Sequence, residues 1–218
     1  MTTMVACDKD NDDKPNSTVN WVDLGLPSGL LWAECNLGAN APEEYGNYYA
    51  WGETQPKEAY IWRTYRYCTV YADRGNLHTL TKYNTNSKYG TPDNLTTLET
   101  MDDAATATLG SGARMPTADE WDELINNTTV EWTTLNGVNG CKFTAANGNT
   151  LFLSATGYLF GSELLGDGFL GAYWSSSLSA DAPYAAFGFD FGSDNQHLYA
   201  SLRYCGSPVR AVRSAGQK

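Results

Sequence analysis

Seven side chains of this 218-residue chain are of the metal-binding or nucleophilic kind: Cys7, Cys35, Cys68, Cys141, Cys205, His78 and His197. No two cysteines form a C-x-x-C and neither histidine stands at a ligand spacing, so a zinc or dithiol redox site has no support; no metal and no cofactor is expected. H-E-x-x-H, P-loop and nucleophile-elbow motifs are absent from the sequence. Among the carboxylates, Glu43-Glu44 and Asp102-Asp103 are adjacent. Neighbours along a chain rarely point into one site, so solvated or structural roles are expected for them in place of acid–base work. If Cys7 is modified, four cysteines are left whose connectivity the sequence does not give; disulfides and free, partly buried thiols both stay open.

What the chain concentrates is recognition chemistry. Between residues 173 and 205 stand Tyr173, Trp174, Tyr184, Phe187, Phe189, Phe191, Tyr199 and Tyr204, on a background of Ser, Ala, Gly, Asp and Leu. Tyrosine gives a large contact area at small entropy loss, and small polar neighbours adapt around it. The plainer alternative is a sheet with ordinary core aromatics, which accounts at least for the phenylalanines.

Strands and two helices must position these residues. Trp21 to Trp32 reads as two short strands around a Pro27-Ser28-Gly29 turn. The aromatic run Glu43 to Trp51 is expected to pack on that hairpin, and residues 52 to 92 to form a long irregular excursion. Leu95, Leu98, Met101 and Ala105 recur at near-helical spacing, predicting a short helix from Leu95 to about Thr108. A second helix follows Pro116, where Thr117 and Glu120 form a capping box and Asp119 and Glu120 suit the positive end of the helix dipole. Its apolar stripe is Trp121, Leu124 and Ile125, and Asn126-Asn127 stops it. From Trp132 onward the chain is strand and turn, with a hairpin at Asn147-Gly148, a Gly-rich loop from Gly161 to Gly171, and alternation over Phe187, Phe189 and Phe191. Two helices before a run of strands imply an α+β fold.

A chain of this length, 42% hydrophobic and 13% aromatic, is long enough for one domain with a sizeable core. A net charge of −11 argues against nucleic-acid binding, which needs clustered Lys and Arg. No apolar run approaches the roughly 18 residues of a membrane helix.

Met4-Val5-Ala6-Cys7 resembles the end of a bacterial lipoprotein signal, and Asp8 to Asp13 resembles the acidic tether of lipoproteins sent to the outer face of the outer membrane. Six residues before Cys7 are too few for a signal peptide. The reading is a cell-surface, outer-membrane lipoprotein with a truncated start, lipidated on Cys7; an ordinary polar tail is the alternative. Residues 8 to 18 then form a solvated linker.

Three segments resemble, in order, formylglycine-generating-enzyme-like domains: Arg114-Met115-Pro116-Thr117-Ala118-Asp119-Glu120-Trp121, Tyr173-Trp174-Ser175-Ser176-Ser177, and Val209-Arg210-Ala211-Val212-Arg213. The front end, Trp21 to Gly29 with Tyr45 to Glu53, is similar to the surface-protein branch called the Fibrobacter major paralogous domain. The resemblance implies a C-type-lectin-like fold over residues 20–213. Its N- and C-terminal strands pair, two helices flank a small twisted antiparallel sheet, and the loops are long and irregular. Residues 1–19 are then tail and linker, and 214–218 a C-terminal tail. The enzymes of that group use a cysteine pair near their C-terminal end with copper; only Cys205 lies in that region here, so the pair is not recognisable and no enzyme is expected. Neither Glu-Pro-Asn, Gln-Pro-Asp nor Trp-Asn-Asp of calcium-dependent lectins occurs.

Some proteins of that fold are variable proteins of diversity-generating retroelements, in which template adenines are randomised as the C-terminal coding region is copied. Codons of the AAY type then never yield Lys, Glu, Gln, Met or Trp. Residues 175 to 205 hold one such residue, Gln196, whereas residues 1 to 174 hold 28, a rate that would place about five in the later stretch; a strand-rich segment that disfavours Lys and Glu is the plainer alternative. The candidate variable, ligand-contacting positions are Tyr184, Ala185, Gly188, Asp190, Gly192, His197, Tyr199, Ala200, Ser201, Leu202 and Cys205. Trp174, Phe187, Phe189, Phe191, Arg203, Tyr204, Val209 and Arg210 would form the fixed scaffold, with the variable positions facing solvent. The expected function is non-enzymatic binding of an external protein or glycan, with no nucleic acid and with membrane contact only through Cys7. The alternatives are a formylglycine-generating-type oxidase and a structural subunit of a surface fibre.

Overall fold

The computed structural model describes residues 19–69 and 79–216. Cys7 and His78 lie outside the described residues. In chain order the elements are β1 (Trp21–Asp23), β2 (Leu30–Ala33), β3 (Tyr48–Tyr49), α1 (Ala104–Leu109), α2 (Ala118–Asn126), β4 (Thr128–Leu135), β5 (Val138–Ala145), β6 (Thr150–Ser154), β7 (Tyr158–Phe160), β8 (Glu163–Leu165), β9 (Gly171–Leu178), β10 (Ala185–Phe191), β11 (Gln196–Leu202), β12 (Ser207–Pro208) and β13 (Val212–Ser214). Single 3-10 turns occupy Trp62–Thr64, Ser87–Tyr89 and Thr100–Asp102. None of the described helices is long and apolar enough to cross a membrane.

The expectation of an α+β, C-type-lectin-like fold is overturned. The structure is mostly β, 38% strand against 13% helix, and among the described residues the strands form five small antiparallel sheets beside two α-helices. The sheets are β1-β2-β13, β11-β10-β9, β4-β5-β6, β12-β3 and β7-β8. The helix expected from Leu95 shows why. The Leu98 amide donates to the Ser176 carbonyl, the Leu178 amide donates to the Thr96 carbonyl, and Thr97 bridges Ser177. The β-branched run Thr96-Thr97 therefore lies extended along β9, where its side chains are less crowded than in a helix. Helix α1 begins only at Ala104, capped by the Asp103 carboxylate, and stops after six residues at Gly110, whose φ is 92°. Met101, which helical spacing puts on the apolar stripe, is 72% exposed.

Local signals fared better. At the start of α2 the Glu120 amide donates to the Thr117 hydroxyl and the Thr117 amide to the Glu120 carboxylate, while Trp121 and Leu124 are wholly buried. Strand β5 turns into β6 through Ala146 to Asn149, around Gly148 at φ 86°. Asn136-Gly137 carries the same hairpin signal, unused in the sequence reading. It closes β4 onto β5 with φ of 49° and 84°, the two positive values a type I′ turn requires. Strand β3 does not pair with the β1–β2 hairpin; Tyr49 stands opposite Ser207 of β12.

Two apolar clusters carry the molecule. One gathers Trp51, Tyr65, Tyr83, Met115, Trp174 and Val209. The other gathers Trp32, Trp121, Phe143, Tyr173, Phe189 and Phe191. The β9-β10-β11 sheet lies between them. Its register puts Tyr173, Phe189 and Leu198 in one row, and Trp174, Gly188 and Tyr199 in the next. Successive residues point to opposite faces, so Phe189 and Phe191 enter the second cluster and Trp174 enters the first. The ring of Phe189 stacks on Trp121 at 4.9 Å. Beyond Trp174 the first cluster runs out and the sheet face opens.

Candidate ligand-binding site

That open face is a cleft of about 460 Å³. Its floor is the row Trp174, Gly188 and Tyr199 with the neighbouring row Ala172 and Asp190. Its far wall is Tyr158 and Phe160 of β7 with Leu170, and its closed end is Tyr184, Cys205 and Ser207. Nine of the eleven sequence-derived contact residues line it: Tyr184, Ala185, Gly188, Asp190, Tyr199, Ala200, Ser201, Leu202 and Cys205. His197 and Gly192 do not. His197 is exposed beside the mouth, opposite Asp190 in register, with its ring 6.3 Å from that of Tyr199. Gly192 lies in the turn after β10.

The positions differ in how freely they could vary. Tyr199 is 53% exposed, and Tyr184, Ala200, Ser201 and Leu202 are half-buried. Ala185 and Cys205 are buried, contrary to the expectation that the variable set faces solvent. Gly188 is more restricted still. A Cβ there would stand 2.8 Å from the Tyr173 carbonyl oxygen, a backbone atom that cannot step aside. Its missing side chain is what gives the cleft depth above Trp174. Of the expected scaffold residues, Trp174, Phe189, Phe191, Arg203, Tyr204, Val209 and Arg210 are buried, whereas Phe187 is half-buried.

Arg203 fixes the closed end. Its guanidinium donates to the Tyr65 hydroxyl and to the carbonyls of Tyr83, Pro183 and Lys82. It also lies 5.0 Å from the Trp51 ring and 5.2 Å from that of Tyr65. A fully buried cation is thus held by carbonyl oxygens and aromatic faces. Arg210 ties the end of β2 to the C-terminal segment through Asn36 Oδ1 and the carbonyls of Ala33 and Glu34.

Asp190 is the one charged residue lining the cleft. Burial pushes its carboxyl up to about 7, and among the described residues no hydrogen bond or neighbouring cation offsets it. Burial likewise pushes the Cys205 thiol up to about 11, the opposite of what an activated nucleophile needs. The Cys141 thiol is pushed up to about 12 for the same reason. Cys35, Cys141 and Cys205 are free thiols, and Cys68 is buried.

The adjacent carboxylates are divided between unrelated tasks. Asp102 receives Lys82 Nζ and the Tyr83 hydroxyl, whereas Asp103 caps α1 and receives the Met115 amide at 2.8 Å. Glu43 receives the Asn136 amide side chain and Glu44 the Asn40 backbone amide. Among the described residues no three His, Cys, Asp or Glu side chains converge as a metal site would require.

Sequence reasoning missed the wall opposite the sheet. Tyr158, Phe160 and Leu170 come from the β7–β8 hairpin and the loop after it, a region read only as Gly-rich. The signal was the apolar content of that loop: Phe160, Leu164, Leu165 and Phe169 are all exposed, Phe169 by 80%. Exposed apolar side chains grouped beside a cleft are a mark of interaction surfaces. No protein-family model, curated protein or solved structure matches the chain.

Proposed function

We propose that this protein is a non-enzymatic, receptor-like binder that recognises an external ligand through the β9-β10-β11 face and its cleft. One observation carries the reading. Positions chosen for codon chemistry and strand alternation over residues 184 to 205 come together, nine of eleven, on one cleft. The supporting chemistry is Tyr158, Tyr184 and Tyr199 among small neighbours on a scaffold of buried aromatics and arginines, which gives rigid contact area with adaptable surroundings. The protonated, buried Cys205 adds nothing an oxidase would use at its reacting atom. Retroelement-driven variation of these positions belongs to the same proposal, as do the surface location and the lipid anchor on Cys7. The cleft and the scarcity of Lys, Glu, Gln, Met and Trp over residues 175 to 205 support this reading without a C-type-lectin architecture.

A library tests it. Tyr184, Tyr199, Ala200, Ser201 and Leu202 are randomised together, displayed on yeast and selected against hen lysozyme as an arbitrary protein target. The expected outcome is folded display across most of the library, with binders that carry changes at these five positions. General loss of folded display, or binders whose contacts map elsewhere, would overturn the reading.

A further inference from the structure

We propose that the cleft is a subsite for a cationic side chain of a protein ligand, a lysine or arginine whose head pairs with the Asp190 carboxylate. The inference rests on the cleft being the ligand-binding face and names what that face takes. Among the described residues every other lining residue is apolar, aromatic or uncharged polar, so Asp190 supplies the net charge there. An isolated carboxylate in a half-buried position is unfavourable by itself and is relieved by an opposite charge brought close. The rings of Tyr199, on the next row of the same face, and of Tyr158 line the same cleft, and such faces attract cations and pack on an aliphatic stem. A net charge of −11 draws a basic partner towards this surface. The partner is a protein because the mouth is flanked by Phe160, Leu164, Leu165 and Phe169, apolar area that a free amine would leave uncovered.

The titratable groups nearest Asp190 on its face of the sheet are His197, opposite it in register, and Tyr199, with Tyr158 of β7 lining the same cleft; Tyr184 and Cys205 line its other end, and the Tyr173 side chain lies in the second apolar cluster. Since burial holds the Asp190 carboxyl near 7, binding of a cation should strengthen as pH rises through neutrality. His197 stands opposite Asp190 on the same row, so a His197→Gln variant is needed to separate the two.

The test is an amide NMR titration of the full chain with n-butylguanidinium and its uncharged isostere n-butylurea, at pH 8 and pH 5. The expected result is saturable shifts at Gly188, Asp190 and Tyr199 with n-butylguanidinium at pH 8. Binding should be at least tenfold weaker at pH 5, with n-butylurea, and in Asp190→Asn, and the pH effect should persist in His197→Gln. Equal affinity for the charged and uncharged probes, or undiminished binding by a folded Asp190→Asn, would overturn the cation subsite while leaving the cleft as the binding face. Absence of shifts with both probes would also overturn it, and the binding face would then stand or fall on the displayed library. A pair of basic and norleucine-substituted peptides bearing apolar flanks completes the set. Tighter binding of the basic peptide than of n-butylguanidinium supports a protein ligand, and equal binding overturns that part of the proposal.

Discussion

Asp190 carries the most distinctive chemistry of the cleft in this sequence. Its carboxyl is raised by burial from an ordinary value of 3.8 to about 7. Between those two values the folded state keeps a proton that the unfolded state has lost, so stability falls as pH rises through that window and the full penalty is present above 7. Asp190→Asn removes the penalty. The variant is expected to be more stable than the parent by roughly 2 kcal/mol at pH 8, allowing for water that reaches an open cleft, and equal to it below about pH 4. Urea denaturation at the two pH values checks this, and a gap that is the same at both would contradict it. A half-buried carboxylate that weakens the fold and has no cation beside it among the described residues fits pairing with a ligand better than packing. The sequence could mark Asp190 as alternating with phenylalanines, but not as isolated, because its surroundings come from β7, β9 and β11.

At the scale of elements, what was legible depended on how local the cause was. Helix α2 carries its own start signal in Thr117 and Glu120 and its own apolar stripe, so it could be read directly. The β7–β8 hairpin could not. Its strands have three residues each and no buried face, so no hydrophobic alternation reveals them. The wall of the cleft was therefore invisible, while the strands bearing its floor were not. Arg203 shows the same limit. It lies between the half-buried Leu202 and the buried Tyr204, yet its role is to join the end of β11 to residues 65, 82, 83 and 183. Arg203→Met leaves two buried carbonyls, the half-buried Lys82 carbonyl and a tyrosine hydroxyl without this donor and is expected to lower stability by about 3 kcal/mol or more. A loss under about 1 kcal/mol in chemical denaturation would show that Arg203 does not hold the cleft's closed end.

The whole molecule was the least legible. Motif order along the chain pointed to an α+β domain, whereas the structure is assembled from five small sheets whose pairings span most of the sequence. Strand β13 pairs with β2 across some 180 residues, and Arg114 bridges Val212. Such contacts are decided by which apolar faces meet, and no local pattern records that. The strands β9 to β11 were legible because each alternates along a short segment, but the bulge between Ala186 and Gly188 that shifts the β9–β10 register leaves no trace in that alternation. At this scale the central claim is that the cleft is a ligand-binding face varied by codon-directed change. Sequencing the 3′ end of this gene across a population of the source organism tests it most directly. The account predicts substitutions concentrated at Tyr184, Asp190, Tyr199, Ala200, Ser201 and Leu202, in AAY-type codons, with small residues only at Ala185 and Cys205. It also predicts a fixed Gly188, whose Cβ would strike the Tyr173 carbonyl. A uniform region, or variation spread evenly over buried Phe189, Phe191 and Arg203, would contradict it.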